Sequence, residues 1–145
     1  MRDQTSRTYR AEWRAWGTVG SRKANSAVPL RRAQKHVDGF LHGYTVRLHD
    51  NECHGFTYVE ERLITISDCS PLWILAHEIA HGVVHADGFP DGHHAVFRDR
   101  YCSVVAELIG RRPAQVLRET FLDCGLAVGD VRVGWLESVI RRLES

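Results

Sequence analysis

The hydrophobic and polar positions of this chain change their period twice, and each period predicts one kind of element. Apolar residues recur at helical spacing over 30–42, and Gly43 ends that pattern. Three short segments that alternate or are rich in β-branched residues then predict strands at 44–49, 55–59 and 63–67. The last two are expected to form a hairpin. A longer apolar run follows and predicts a helix over 71–85.

Three more helices are predicted in the second half of the chain, over 93–109, from Pro113 to a stop at Gly125, and over 130–143. Residues 1–29 form a basic, partly irregular segment. In it, 8–16 fits either a strand or a short helix, while 17–29 is rich in Gly, Ser and Asn, which favours an exposed loop. The order predicts a single α+β domain over 1–145, with a small sheet of three or four strands packed on the helix at 71–85 and a C-terminal block of helices.

Composition places the chain among ordinary globular proteins. It has 145 residues, of which 43% are hydrophobic and 26% are charged. Because no apolar stretch approaches the roughly 18 residues that span a bilayer, and the first residues lack the apolar part of a secretory signal, we expect a cytoplasmic protein without membrane contact. Its four cysteines are widely scattered and form no C-x-x-C pair, namely Cys53, Cys69, Cys102 and Cys124. We therefore expect reduced thiols and no disulfide framework.

Charge is distributed unevenly although the net charge is only +1. Residues 1–36 carry nine Lys or Arg against two acidic residues, a net charge of +7, and they also contain Tyr9, Trp13 and Trp16. Basic side chains interleaved with aromatic ones can bind nucleic acid or an acidic partner protein. The same pattern is common in a solvated basic surface whose aromatic side chains pack into the core, and we favour this second interpretation.

The apolar run at 71–85 contains the motif H-E-x-x-H, formed by His77, Glu78 and His81. Residues four apart lie on one face of a helix, so the two imidazoles can point at one metal ion. Glu78 then lies beside them, where a carboxylate can polarise a metal-bound water. This is the metal-binding half of a zinc hydrolase site.

A catalytic zinc site usually has a third protein ligand. The sequence after His81 offers several candidates for it: Asp87, Glu107, His85, and the adjacent pair His93 and His94. Asp87 lies where the longer pattern H-E-x-x-H-x-x-G-x-x-H has its third ligand, but the glycine that turns such a chain is replaced here by Val84. Glu107 lies about 21 Å beyond His93 along the predicted helix, so only one of these two can reach the metal.

The remaining candidates are histidines. His85 is one turn past His81, and three histidines stacked on one helix give a poor tetrahedral angle. His93 and His94 follow a glycine-rich loop at the start of a helix, and a loop that reverses direction would bring that helix start back to the site. We favour His93 as the third ligand.

Groups that support a metal site are harder to choose. The second nitrogen of each ligand imidazole needs an acceptor, for which Asp87, Asp91 and Asp99 are available. Negative charge that develops during hydrolysis could be stabilised by Tyr101, Arg98 or His85. Because Tyr101 lies on an apolar stripe and Arg98 is typical of a solvated position, we leave these outside the predicted catalytic set.

The segment from His77 to His81, followed by a loop and then by 93–98, resembles the H-E-x-A-H … H-G-x-x-F arrangement of minimal zincins, including SprT-like metallopeptidases. The chain resembles more closely a family of small zinc metallohydrolases from actinobacteria and their phages. That likeness also involves Arg2-Asp3, Tyr9, Ala11-Glu12, the helix at 33–38 and the strand at 64–67. One departure concerns the glycine expected after the third ligand, which is His94 here.

The resemblance implies a zincin-like α+β fold and a Zn²⁺ ion held by His77, His81 and His93, with Glu78 as the general base. For such a hydrolase we expect a peptide or protein substrate, and the host cytoplasm as the location if the protein is phage-encoded. In zincins a strand beside the site helix pairs with extended peptide, and we expect 63–67 to be that edge strand. Two functions are therefore open: a zinc metallopeptidase, or a non-catalytic zinc-stabilised module that contacts nucleic acid or a host protein through its basic N-terminal segment.

Overall fold

The computed structural model describes residues 2–50 and 52–129, and this part of the chain contains six helices and one small sheet. In chain order the elements are α1 (Arg2–Val19), α2 (Arg22–Asn25), α3 (Leu30–Phe40), β1 (Thr45–Leu48), β2 (Gly55–Tyr58), β3 (Leu63–Ile66), α4 (Leu72–Ala86), α5 (Ala95–Leu108) and α6 (Arg111–Asp123). The α+β class predicted from the sequence is confirmed. The helix predicted at 130–143 lies outside the described residues.

The sheet has the strand order β1-β3-β2. β1 pairs in parallel with β3, with Thr45 opposite Leu63, and β2 pairs antiparallel with β3, with Gly55 opposite Ile66. The predicted hairpin of β2 and β3 is thus confirmed. The expectation that the strand at 63–67 is an edge is wrong, because β3 returns between the first two strands and leaves β1 and β2 at the edges.

The N-terminal segment is more regular than its composition indicates. α1 runs to Val19, and α2 adds a further 4 helical residues within the stretch 17–29 that we expected to be an exposed loop. The reason is a buried stripe at helical spacing on α1, formed by Thr8, Ala11, Glu12, Ala15 and Trp16. Of the three aromatic residues in this segment, only Trp16 is buried, while Tyr9 and Trp13 are exposed.

The core lies between α4 and the helices around it. α4 packs on α5, α5 packs on α6, and α6 packs on α1, which places the first helix beside the C-terminal ones. Leu75 and Ile79 on α4, Phe97 on α5 and Phe121 on α6 are fully buried. On its other side α4 packs against strands β2 and β3 of the sheet. α4 is therefore enclosed by the rest of the fold.

Two of the four cysteines are joined. Cys53 and Cys69 form a disulfide with their Cα atoms 5.1 Å apart, which contradicts the expectation of reduced thiols. Their spacing in sequence gives no pairing signal, because the loop before β2 and the turn before α4 meet only in the folded sheet. Cys102 and Cys124 are free. In the residues described here, no helix has both the length and the apolar content that crossing a membrane would require.

Candidate metal centre

Three imidazoles converge where α4 meets the start of α5. Nε2 of His77 lies 3.1 Å from Nε2 of His93 and 3.2 Å from Nε2 of His81. His77 and His81 are one turn apart on α4, and His93 directly precedes His94, the N-cap residue of α5. The loop between the two helices reverses the chain, as the sequence predicts. The three histidines lie close enough together to bind one metal ion.

The two nitrogen separations from His77 are compatible with a metal ion of tetrahedral geometry. Two ligands 2.0–2.1 Å from a zinc ion at the tetrahedral angle are about 3.3–3.4 Å apart. The two Nε2 separations from His77 are close to this value. Imidazole nitrogens suit zinc and several other transition metals, so the donor set does not fix the identity of the ion.

His94 is directed away from this group. Its Nδ1 accepts a hydrogen bond from the backbone N–H of Phe97, which caps α5, and its Nε2 donates to the carbonyl oxygen of Pro90 at 2.7 Å. Both ring nitrogens are thus engaged outside the site. Of the adjacent pair, the structure brings His93 to the other two histidines.

The other candidates for a third ligand lie elsewhere. Asp87 binds the guanidinium of Arg100, with its Oδ2 2.8 Å from Arg100 Nε. His85 and Glu107 are exposed. The helix that carries Glu107 starts beside His93. Because His93 lies at the site, Glu107 lies away from it, as expected if only one of the two can reach the metal.

Glu12 is a part of the site that sequence reasoning missed. Its Oε1 lies 2.6 Å from Nδ1 of His77, and both side chains are buried. A proton on Nδ1 of His77 is thereby shared with the carboxylate, which leaves the Nε2 lone pair free for a metal ion. Burial alone would lower the pKa of His77, but the charge and hydrogen bond of Glu12 outweigh it and raise that pKa. A carboxylate within an apolar stripe was the available signal, because such a group needs a partner.

His81 has a weaker acceptor. Asp91 Oδ1 lies 3.4 Å from His81 Nδ1, a contact whose geometry falls short of a hydrogen bond, and Asp91 is largely exposed. This contact lowers the pKa of Asp91 to about 2. Of the three acidic residues considered as acceptors, Asp91 alone is at the site, since Asp87 and Asp99 both bind Arg100.

His93 is held by its backbone. The guanidinium of Arg98 donates to the His93 carbonyl oxygen at 2.6 Å, and it also donates to Thr8 Oγ1 on α1 and to the carbonyl oxygen of Ala127. Arg98 is buried and not solvated as we expected, so it acts as a structural clamp. Burial, together with the neighbouring His77 and His81, lowers the pKa of His93 to about 3, so its ring is neutral.

Aromatic rings enclose the three imidazoles. The ring of Phe97 lies 4.4 Å from that of His81 and 4.9 Å from those of His77 and His93, so one buried side chain supports all three. Tyr9 of α1 stacks on His77 with ring centroids 5.9 Å apart. Tyr101 is fully buried, and its hydroxyl donates to the Trp73 carbonyl oxygen and accepts from Trp16 Nε1, which makes it a core residue.

Glu78 is buried beside His77 and is held by β2. The hydroxyl of Thr57 donates to Glu78 Oε1 at 2.8 Å and lies 2.9 Å from the Glu78 carbonyl oxygen. At Gly55, an added Cβ would come within 2.8 Å of Glu78 Cγ, so only glycine allows the strand to approach this closely. Glu78 and His77 both line a cavity of about 520 Å³ that opens between α1, α4 and β2.

Comparisons of the chain with protein-family models, with curated proteins and with solved structures found no match.

Proposed function

We propose that the protein is a zinc-dependent hydrolase, and specifically a metallopeptidase with a zincin-like arrangement of ligands. The observation that carries this proposal is the convergence of three Nε2 atoms, with separations of 3.1 and 3.2 Å, next to the buried carboxylate of Glu78. A site that only stabilises the fold has no need of a carboxylate at the edge of a cavity, whereas hydrolysis needs a base at that place.

In this proposal His77, His81 and His93 hold the ion, and Glu12 fixes the ring orientation of His77. A zinc ion bound there would supply Lewis-acid chemistry, lowering the pKa of a water molecule and polarising a substrate carbonyl. Glu78 accepts a proton from the attacking water and returns it to the leaving amine. The hydrogen bond from Thr57 keeps the Glu78 carboxylate in place between these two proton transfers.

A peptide substrate needs a surface on which to extend. β2 is an edge strand that packs on α4 and contacts Glu78 through Gly55 and Thr57. In the part of the chain that the structure describes, no strand pairs with its outer edge. That edge can pair with an extended peptide through backbone hydrogen bonds. We therefore assign to β2 the role that the sequence alone led us to expect for 63–67.

Metal content and peptide cleavage, measured on the same preparations, test this function. We expect about one zinc per chain after reconstitution and cleavage of members of a random peptide library, read by mass spectrometry. Glu78→Gln should keep the zinc and lose at least about 100-fold in turnover, because it removes the base. Glu107→Gln, at an exposed carboxylate, is the matched control and should change neither. A well-folded protein that takes up no zinc, or a zinc-loaded protein that cleaves no peptide, would contradict the proposal.

A second candidate function is favoured by the exposure of the basic side chains on α1, α2 and α3. Among the residues of these helices whose burial the structure describes, eight basic side chains are exposed: Arg7, Arg10, Arg14, Arg22, Lys23, Arg31, Arg32 and Lys35. A cavity of about 400 Å³ lies between α2 and α3, and Lys23, Arg32 and His36 contribute to its lining. Under this alternative the chain is a non-catalytic, zinc-stabilised module that contacts nucleic acid or a host protein.

The alternative predicts binding that weakens steeply with salt, since it depends on phosphate contacts. Fluorescence anisotropy of labelled DNA and RNA oligonucleotides, from low to physiological salt, measures this dependence. The binding should survive Glu78→Gln and weaken in Lys23→Glu and Arg32→Glu. Absence of binding at low salt would exclude a nucleic acid as the partner.

A further inference from the structure

The cavity beside Glu78 has walls that the metal site does not require. Its volume is about 520 Å³, and four aromatic residues contribute to its lining: Tyr9, Trp13, Phe56 and Trp73. They come from α1, from β2 and from α4, so three parts of the fold meet around one space. His77 and Glu78 lie on the same lining. A group held in this cavity would therefore lie next to the residues proposed to carry out hydrolysis.

Much of this aromatic surface is left in contact with solvent. Trp13 is 68% exposed, Tyr9 45% and Phe56 44%. Trp13 packs edge-on against Trp73, with ring centroids 5.6 Å apart, and Trp73 is itself buried. Trp73 thus holds one side of the Trp13 ring, while the other side faces solvent and does not contribute to the core. Large exposed aromatic surface that borders a cavity is typical of a binding site.

The charges around the cavity limit what it can hold. Among the described residues that line it, the charged ones are Glu12 and Glu78, and no Lys or Arg is among them. Glu12 is paired with His77, and Glu78 accepts a hydrogen bond from Thr57. Both carboxylates are buried and already have partners, so a cationic group finds no free carboxylate there. No cationic side chain is among the described lining residues, so an anionic group finds no partner either. An uncharged apolar group fits best.

We propose that this cavity is a specificity subsite that binds an aromatic side chain of the peptide substrate next to the scissile bond. This inference rests on the proposed hydrolase function. Trp13 and Trp73 form its main wall, and Tyr9 lines it beside the imidazole of His77, on which that ring stacks. Aromatic rings prefer edge-to-face and offset contacts with other rings, which these walls provide. The enzyme therefore selects substrates by an aromatic residue beside the bond that it cleaves.

Nuclear magnetic resonance tests the subsite without requiring hydrolysis or a bound metal. The full chain, labelled with ¹⁵N, is titrated with N-acetyl-phenylalaninamide, N-acetyl-alaninamide and N-acetyl-argininamide. We expect the phenylalanine amide to shift the indole signals of Trp13 and Trp73 and the backbone amide of Gly55. The alanine amide should bind at least about tenfold more weakly, because it offers much less apolar surface.

Two variants sharpen this experiment. Trp13→Ala should abolish the preference for phenylalanine, and Trp13→Phe should retain much of it. Because Trp13 is 68% exposed, neither change should disturb folding. Leu122→Ala, at a side chain that is 51% exposed on α6, is the matched control and should bind like the wild type. Equal binding of the phenylalanine and alanine amides, shifts confined to other regions, or a preference for the arginine amide would overturn the subsite.

A second measurement separates failure of the subsite from failure of the hydrolase proposal. In the peptide library, cleavage should concentrate at sites with an aromatic residue, and Trp13→Ala should flatten that preference. If the phenylalanine amide binds at Trp13 but no peptide is cleaved, the hydrolase proposal fails while the aromatic binding site stands. If peptides are cleaved without aromatic preference and the amide does not bind, the subsite fails and the hydrolase stands.

Discussion

The carboxylate of Glu12 lies 2.6 Å from Nδ1 of His77, a residue 65 positions further along the chain. Both side chains are buried, so neither can exchange this partner for water. The candidate metal centre is thus not confined to the two helices that carry its histidines. α1 contributes the group that orients one ligand, and Tyr9 of the same helix covers that ligand's ring.

Removing the charge of Glu12 should weaken metal binding. Groups that hold a ligand histidine from behind typically change metal affinity by about 10–100-fold when they are mutated. We expect a loss of this size in Glu12→Gln, measured by competition with a chromogenic zinc chelator. Glu119→Gln, at an exposed carboxylate on α6, serves as the control. An unchanged affinity in a folded Glu12→Gln protein would show that this pair does not act on the ion.

The two adjacent histidines should respond differently to replacement by alanine. His93→Ala removes one of the three converging nitrogens, so metal content after dialysis should fall well below that of the wild type. His94→Ala should keep its metal and lose about 1 kcal/mol of unfolding free energy, because it removes the side-chain cap of α5. Elemental analysis and urea unfolding measure the two effects. Loss of metal in His94→Ala alone would reverse the assignment.

Thr57 should affect turnover and leave the metal in place. In Thr57→Val the hydroxyl that donates to Glu78 Oε1 is replaced by a methyl group of similar size. Since hydrogen bonds to charged groups contribute about 1.5–3 kcal/mol, kcat should fall by at least about tenfold with little change in KM. Thr57→Ser keeps the donor and should restore most of the activity. A loss that Ser does not rescue would indicate a packing effect instead.

The Cys53–Cys69 disulfide should contribute measurably to stability. It closes a loop with a sequence separation of 16 residues, for which chain-entropy arguments give about 3 kcal/mol. We expect a reductant to lower the urea midpoint of the wild type by a corresponding amount. The double variant Cys53→Ser/Cys69→Ser should have the lower midpoint from the start, and the reductant should not change it. If the reductant lowers the urea midpoint of both proteins equally, the disulfide is not the cause of the change.

Local patterns were enough to predict the elements that carry the histidines. The period of the apolar residues gave α4, and the glycine-rich loop before His93 indicated that α5 would return to it. Helix geometry then placed His77 and His81 on one face. These inferences succeed because each depends on residues that are near one another in sequence.

The features that were missed depend on residues far apart in sequence. The contact of Glu12 with His77 spans most of the first half of the chain, and nothing near Glu12 identifies its partner. The central place of β3 follows from a crossover, which the periods of single strands do not encode. In the same way, Cys53 and Cys69 become neighbours only after the sheet has formed. Composition also misled at 17–29, where glycine and serine concealed short helical stretches.

Phe97 supports all three imidazoles and is also a fully buried member of the hydrophobic core. Any affinity of the candidate metal centre for an ion therefore depends on the same packing that resists unfolding. Natural or engineered variation that repacks the side chains around Phe97 will also displace the rings above it. Core substitutions during evolution are therefore compatible with the metal centre only if they leave the Phe97 ring in place.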